Sequence, residues 1–224
     1  MRQISLDTET TGLDYEKGHK IIEIGCVEIL DRKITSTIFH AYLNPNRNVD
    51  ESATKITGIT NKFLEGKPLF KDIADDFIKF LKDANELIIH NANFDINFIN
   101  NELTLINHKI KNIENYIKIF DTLSYARKIH PGKKNNLDAL CERYNINNKN
   151  RKTHGALIDA ELLAKIFIEM TSKQININFD EKKIKINIPE KSIKLNILKA
   201  NKQELQMHNK YIKNLKKLYQ NEIV

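Results

Sequence analysis

Cysteine is scarce in this chain. Its two thiols, Cys26 and Cys141, stand in apolar-periodic segments, and no CxxC pair occurs. A disulfide scaffold and a structural zinc site are therefore poor readings, and the thiols fit a reducing cytosol. Long hydrophobic runs are missing too. Nowhere do about 18 apolar residues follow one another, so no membrane-spanning helix is expected. The opening Met1-Arg2-Gln3-Ile4-Ser5-Leu6-Asp7 lacks the apolar core of a signal peptide and reads as a strand, so a cytoplasmic protein is expected. No internal repeat is visible. What is present is an ordinary globular mixture, 41% hydrophobic and 29% charged, unlike the composition of disordered chains. Its 224 residues allow one large domain with an appendage.

Lys and Arg outnumber Asp and Glu by 36 to 29, which gives a net charge of +7 and a pI near 9.2. Such an excess suits a polyanionic partner. A second explanation stands beside it. Lys, Asn and Ile crowd the whole chain, as they do when base composition drives codon use toward A and T.

Residues 2–7 alternate, with Ile4 and Leu6 on one face and Ser5 and Asp7 on the other, so they read as a strand closed by a turn at Thr10-Thr11-Gly12. Residues 20–30 and 34–43 are β-branched and apolar and form a hairpin around Asp31-Arg32-Lys33. Phe70, Ile73, Phe77 and Leu81 repeat at helical spacing. Residues 86–90 form a short buried strand, and 117–121 a fifth, weaker one. Helices are expected along Asp95, Ile99, Leu103 and Ile106, and near 122–129, 136–145 and 154–170. This order predicts an α/β fold with a five-stranded mixed sheet covered by helices. Beyond residue 172 the chain turns to Ile, Lys and Asn in alternation. We expect domain 1–172, a linker over 173–200 and a helical tail over 201–224, with Leu205, Tyr211, Ile212, Leu215 and Tyr219 toward one side.

Four carboxylates stand where apolar residues belong. Asp7 and Glu9 are two apart on a strand and share a face. Asp95 leads the stripe of Ile99, Leu103 and Ile106, and Asp159 leads that of Leu162, Leu163, Ile166 and Met170. Burying an unpaired carboxylate costs several kcal/mol, about as much as any single defect a fold tolerates. A shared divalent cation offsets that cost. Hard oxygen ligands without cysteine suit Mg²⁺ or Mn²⁺ better than zinc. Two such ions roughly 4 Å apart can clamp both oxygens of a phosphoryl displacement. Each acid also has an ordinary reading: Asp7 as a turn residue, Asp95 and Asp159 as first-turn acids facing a helix dipole. His154 stands five residues before Asp159. Gly155 is expected to let the backbone turn so that the imidazole overhangs the site, where it can take a proton from water. Its ordinary reading is a hydrogen-bonding residue at a helix entry. Together the four acids and His154 favour the cation.

These residues fall in three motifs, Leu6-Asp7-Thr8-Glu9-Thr10-Thr11-Gly12, His90-Asn91-Ala92-Asn93-Phe94-Asp95 and His154-Gly155-Ala156-Leu157-Ile158-Asp159. In that order they resemble the motifs of the DEDDh 3′→5′ exonucleases. Gly18-His19-Lys20-Ile21-Ile22-Glu23-Ile24-Gly25, Ala126-Arg127-Lys128, Pro131-Gly132-Lys133 and Leu137-Asp138-Ala139-Leu140-Cys141 narrow the resemblance to the epsilon proofreading subunits of bacterial DNA polymerase III. The resemblance implies an RNase H-like fold and stepwise removal of nucleotides from a DNA 3′ end. It implies ion ligation by Asp7, Glu9 and Asp159 with support from Asp95, and His154 as general base. Asp7, Glu9 and Asp159, with Asn91 and Phe94, would also meet the last nucleotide, though Phe94 reads equally well as core. Ser52 and Thr57 stand where several epsilon subunits carry Glu and His. Those two positions are expected to touch substrate, and the manner of gripping it to differ. The loop after Gly12 is shortened.

The tail carries two further resemblances. Gln174-Ile175-Asn176-Ile177-Asn178-Phe179 is similar to the sliding-clamp peptide of bacterial replication proteins, with Gln174, Ile177 and Phe179 as its contacts. An ordinary strand is the alternative. Residues 193–219 resemble the epsilon segment that holds the polymerase III alpha subunit. Two rivals remain at this point. An exoribonuclease of the same type would trim RNA with the same chemistry. A non-catalytic scaffold of a polymerase would have lost ligands that this chain retains.

Overall fold

The computed structural model of the chain describes residues 1–148, 153–172 and 199–220. Five strands form one sheet in the order β3-β2-β1-β4-β5. β1 (Arg2–Thr10), β2 (Ile21–Leu30) and β3 (Lys33–Tyr42) form an antiparallel meander. β4 (Glu86–Ile89) runs parallel to β1, and β5 (Ile119–Asp121) parallel to β4. The expected mixed sheet is thus observed.

Helices cover both faces. On one, α3 (Phe70–Leu81) and α4 (Ala92–Leu105) pack Phe77, Phe98, Ile99 and Leu103 against Ile4, Leu6 and Leu87. On the other, α7 (Ala156–Ser172) packs Ala160, Leu163, Ala164 and Phe167 against Val27, Ile29 and Ile88. α5 (Thr122–Ile129) and α6 (Leu137–Arg143) close the outer side of α7, with Ala126, Leu140 and Cys141 buried against Leu162, Ile166 and Met170. The alternation of β1 explains both faces at once: Ile4 and Leu6 enter one core, and Ser5 and Asp7 look toward α7.

At three places the structure goes beyond the sequence reading. β1 does not stop at residue 7. Thr8, Glu9 and Thr10 keep pairing with β2, with an irregularity between Glu9 and Thr10. The segment around Ser52 and Thr57 is helical: α1 (Glu51–Thr57) ends at Gly58, whose φ of 76° is left-handed, and α2 (Asn61–Leu64) follows, capped by the Thr60 side chain. Gly155 directly precedes α7 without a left-handed φ, and a Cβ there would meet its nearest atoms at an ordinary 3.9 Å.

The chain divides into two compact units, Met1–Asn176 and Ile177–Val224. The second is represented chiefly by α8 (Lys202–Gln220), on which Leu205, Met207, Tyr211 and Ile212 are exposed. No helix among the described residues is long and apolar enough to cross a membrane.

Candidate active site

The site lies where the parallel strands β1, β4 and β5 end, the edge at which open α/β sheets commonly bind ligands. Asp7 and Glu9 leave β1 on the α7 face. Their partners on β2 are Gly25 and Glu23. Gly25 sets the geometry. A Cβ on it would lie 2.3 Å from the carbonyl carbon of Ala156 and the amide nitrogen of Leu157. Only a bare backbone lets the first turn of α7 rest directly on β2, beside Asp7. Asp159 sits in that first turn and is 4% exposed, amid the apolar stripe that continues through Leu163.

His154 precedes the helix and is exposed. Its N–H donates to the carbonyl of Ile56 at 3.1 Å, which ties its loop to α1. Its Nδ1 lies 3.5 Å from Oδ2 of Asp159. Glu9, His154 and Asp159 each offer a ligand atom within 4.8 Å of the others. Asp7, His154 and Asp159 also share a pocket of about 250 Å³ with His90, Asn136, Leu137, Asp138 and Leu163. A larger groove of about 570 Å³, lined by Lys33, Tyr144 and Lys165 among others, holds no such cluster, so chemistry rather than volume marks the site. Carboxylate oxygens with one imidazole fit a hard divalent cation.

Asp95 reaches the same strand end from the opposite face. It lies in the first turn of α4 and is 3% exposed. Its Oδ1 accepts the Thr8 N–H at 3.0 Å and the Thr8 hydroxyl at 2.6 Å. Burial pushes its carboxyl up to about 7, against the hydrogen bonds from Thr8 and with a further push from Asp121. Asp95 and Asp159 are thus first-turn acids and buried acids together, so the two readings of each are not exclusive.

Two neighbours were given no role by the sequence reading. Asp121 ends β5 and caps α5. Its Oδ1 accepts the N–H of Leu123 and the N–H of Asn91, at 2.9 and 3.1 Å, and its Oδ2 accepts the Ser124 hydroxyl at 2.6 Å. Burial pushes this carboxyl up, but those hydrogen bonds prevail and hold it below the usual range. Asp121 therefore grips Asn91, the left-handed residue (φ 64°) from which α4 and Asp95 spring. His90, just past β4, meets the Thr122 hydroxyl through Nδ1 at 2.9 Å, and burial lowers its pKa. The signal for both was their place at the ends of parallel strands.

The other expected contacts are scattered. Asn91 is exposed at the start of α4. Phe94 is half-buried and packs on Phe98, ring centroids 5.0 Å apart. Ser52 is exposed on α1. Thr57 is buried, and its hydroxyl donates to the Ala53 carbonyl and accepts the Ile59 N–H, at 2.9 and 3.1 Å. That hydroxyl serves the turn after α1. Gln174, Ile177 and Phe179 lie outside the described residues.

The chain is similar to known proteins over most of its length. An exonuclease family model matches residues 4–167. The DNA polymerase III subunit epsilon of Buchnera aphidicola subsp. Schizaphis graminum is 50% identical over 96% of this chain and 97% of its own. That of Escherichia coli K12 is 48% identical over 80% of this chain and 74% of its own. Exonuclease X, solved in complex with 5′ overhanging duplex DNA, superposes with a TM-score of 0.58 at 25% identity, covering 77% of this chain and 92% of its own. The chain therefore belongs to the exonuclease family, within its group of DNA polymerase III epsilon subunits.

Proposed function

We propose that this chain is the proofreading 3′→5′ exonuclease of a replicative DNA polymerase, and that it works with two divalent ions, Mg²⁺ or Mn²⁺. The observation that carries the reading is the meeting of Glu9, His154 and Asp159 within 4.8 Å, beside Asp7, in a chain half identical to an epsilon subunit over nearly its whole length. Asp7, Glu9 and Asp159 would hold the ions, with Asp95 in support. The ions would supply charge stabilisation on the phosphate and on the leaving 3′ oxygen.

The chain's own residues do the rest. His154 turns Nδ1 toward Asp159. We assign Nε2 to the proton of the attacking water. The water oxygen bonds to phosphorus, the bond from phosphorus to the penultimate 3′ oxygen breaks, and that oxygen takes up a proton. A nucleoside 5′-monophosphate leaves. Asn91 and Phe94 would flank the last nucleotide. No base is read. Mispairs are favoured because unpairing costs a few kcal/mol in a good duplex and less at a mismatch, on the order of the difference that sorts frayed from paired ends.

A partnership with DNA polymerase III accords with the relatives' name. The tail over 201–224, with the exposed apolar side chains of α8, would hold the alpha subunit. Gln174, Ile177 and Phe179 would reach the sliding clamp. The purified chain with Mg²⁺ should shorten a 5′-labelled DNA strand one nucleotide at a time, faster from a mispaired than a paired 3′ end. Equal or greater activity on RNA of the same sequence would favour the exoribonuclease reading.

A further inference from the structure

The row of residues crossing the sheet under α7 holds a pair that the proposed chemistry does not use. Glu9 on β1 faces Glu23 on β2, which faces Tyr42 on β3. One step away, Asp7 faces Gly25, which faces His40. Side chains opposite one another share a face, so all of these look toward α7. The first turn of α7 rests on bare Gly25, and Glu23 and His40 stand beside it.

Glu23 is 2% exposed. Its Oε1 lies 2.8 Å from Nε2 of His40, which fixes the carboxylate in one orientation. Its Oε2 meets no donor at hydrogen-bonding geometry among the described residues, although the carboxylate lies near enough to the Tyr42 hydroxyl to help raise its pKa, after burial. Oε2 lies 3.9 Å from where a Cβ on Gly155 would stand. A buried carboxylate oxygen left without a donor is costly unless a positive field faces it. That field is at hand. The N–H groups of a helix's first turn lack intrahelical partners, and they carry the positive end of its dipole. Gly155, the residue before Ala156, has no side chain with which to cap them. Glu23 stands opposite Glu9 in the ladder, and its Oε2 approaches Gly155, which lies between His154 and Asp159 in sequence and directly precedes α7.

We propose that Glu23, oriented by His40, is a positioning residue that anchors the start of α7 and so holds His154 and Asp159 in reacting geometry. It touches neither substrate nor ion. The inference rests on the site assigned above. It says why a carboxylate that is no ligand is buried one strand away from Glu9. A small displacement of a catalytic group costs far more in turnover than in binding, since binding draws on many contacts and reaction on few.

The test uses the full chain with Mg²⁺ on a single-stranded DNA oligonucleotide. Glu23→Gln keeps the shape and removes the charge. It should lower kcat about tenfold and leave KM within about twofold. His40→Ala, at a partly exposed position, should do the same. His40→Gln, which still offers an N–H, should recover most of the lost kcat. Thermal melts of each variant give the folded fraction. An unchanged kcat in Glu23→Gln overturns the proposal. So does a kcat loss that disappears once rates are corrected for folded fraction, or a His40→Gln variant as slow as His40→Ala. Asp159→Ala serves as the separate control. Retained cleavage there would refute the assigned site itself, whatever Glu23 does.

Discussion

The two faces of the sheet deliver the same residue type to the same edge in different ways. On the α4 face, Asp95 arrives already engaged by two donors from Thr8, and burial pushes its carboxyl up to about 7. On the α7 face, Asp159 arrives among Asp7, Glu9 and His154, groups that are acidic or ligating. One acid is satisfied largely by the protein. The other stands in a cluster whose like charges call for a cation. An acid in the first turn of a buried helix is thus not one motif but two, separated by whether the adjoining strand offers donors or more acids.

The largest effect should come from the α7 face. Asp159→Ala or Asp7→Ala should reduce cleavage by roughly 10³-fold or more, as loss of a group on which a whole site depends does, while DNA affinity stays near wild type. Near-normal turnover in either would place the ions elsewhere. His154→Ala should cost roughly 10²–10⁴-fold, the range for a general base. Near-normal turnover in the purified variant would move the proton to another group.

Much of this comparison was legible in the sequence, and the reason is chemical. Carboxylates at offsets of an apolar stripe contradict the period that surrounds them, and Asp95 and Asp159 stand out for that reason. The sheet was legible because β-branched runs alternate with helical stripes. What was hidden depends on contacts between distant segments. That Thr8 would satisfy Asp95 requires knowing that β1 continues past Asp7 while α4 crosses its other face. That Gly25 admits α7 requires knowing which strand lies beneath Ala156. α1 escaped because seven residues with little apolar periodicity give a weak signal, although Gly58 marks its end. Asp121 looked like an ordinary strand-end acid until Asn91 came to rest on it.

A smaller effect separates the faces by stability. Asp95 binds its proton more tightly in the folded than in the unfolded chain, where its value is the usual 3.8. That contribution is complete below pH 3.8 and is lost as the pH rises through about 7. In EDTA at about pH 8, Asp95→Asn should therefore raise Tm by about 2–4 °C, and the gain should shrink as the pH falls through about 7 and vanish below 3.8. A gain that does not change with pH would mean that the amide helps for some reason other than charge.

The smallest effect concerns the tail. A fragment ending at Ser172, where α7 ends, should fold and cleave single-stranded DNA within about twofold of the full chain. It should fail to copurify with the polymerase. Loss of folding, or retained copurification, would show that the two jobs are not divided along the chain in this way.

The central claim is that the acids gathered on the α7 face, Asp7, Glu9 and Asp159, hold divalent ions beside His154. Mn²⁺ titration followed by electron paramagnetic resonance tests it directly, without relying on turnover. The wild-type chain should bind about two ions, and Asp159→Ala and Asp7→Ala should each lose at least one of them or bind it far more weakly. The same number of ions, bound with the same affinity, in the wild type and in both variants would contradict it.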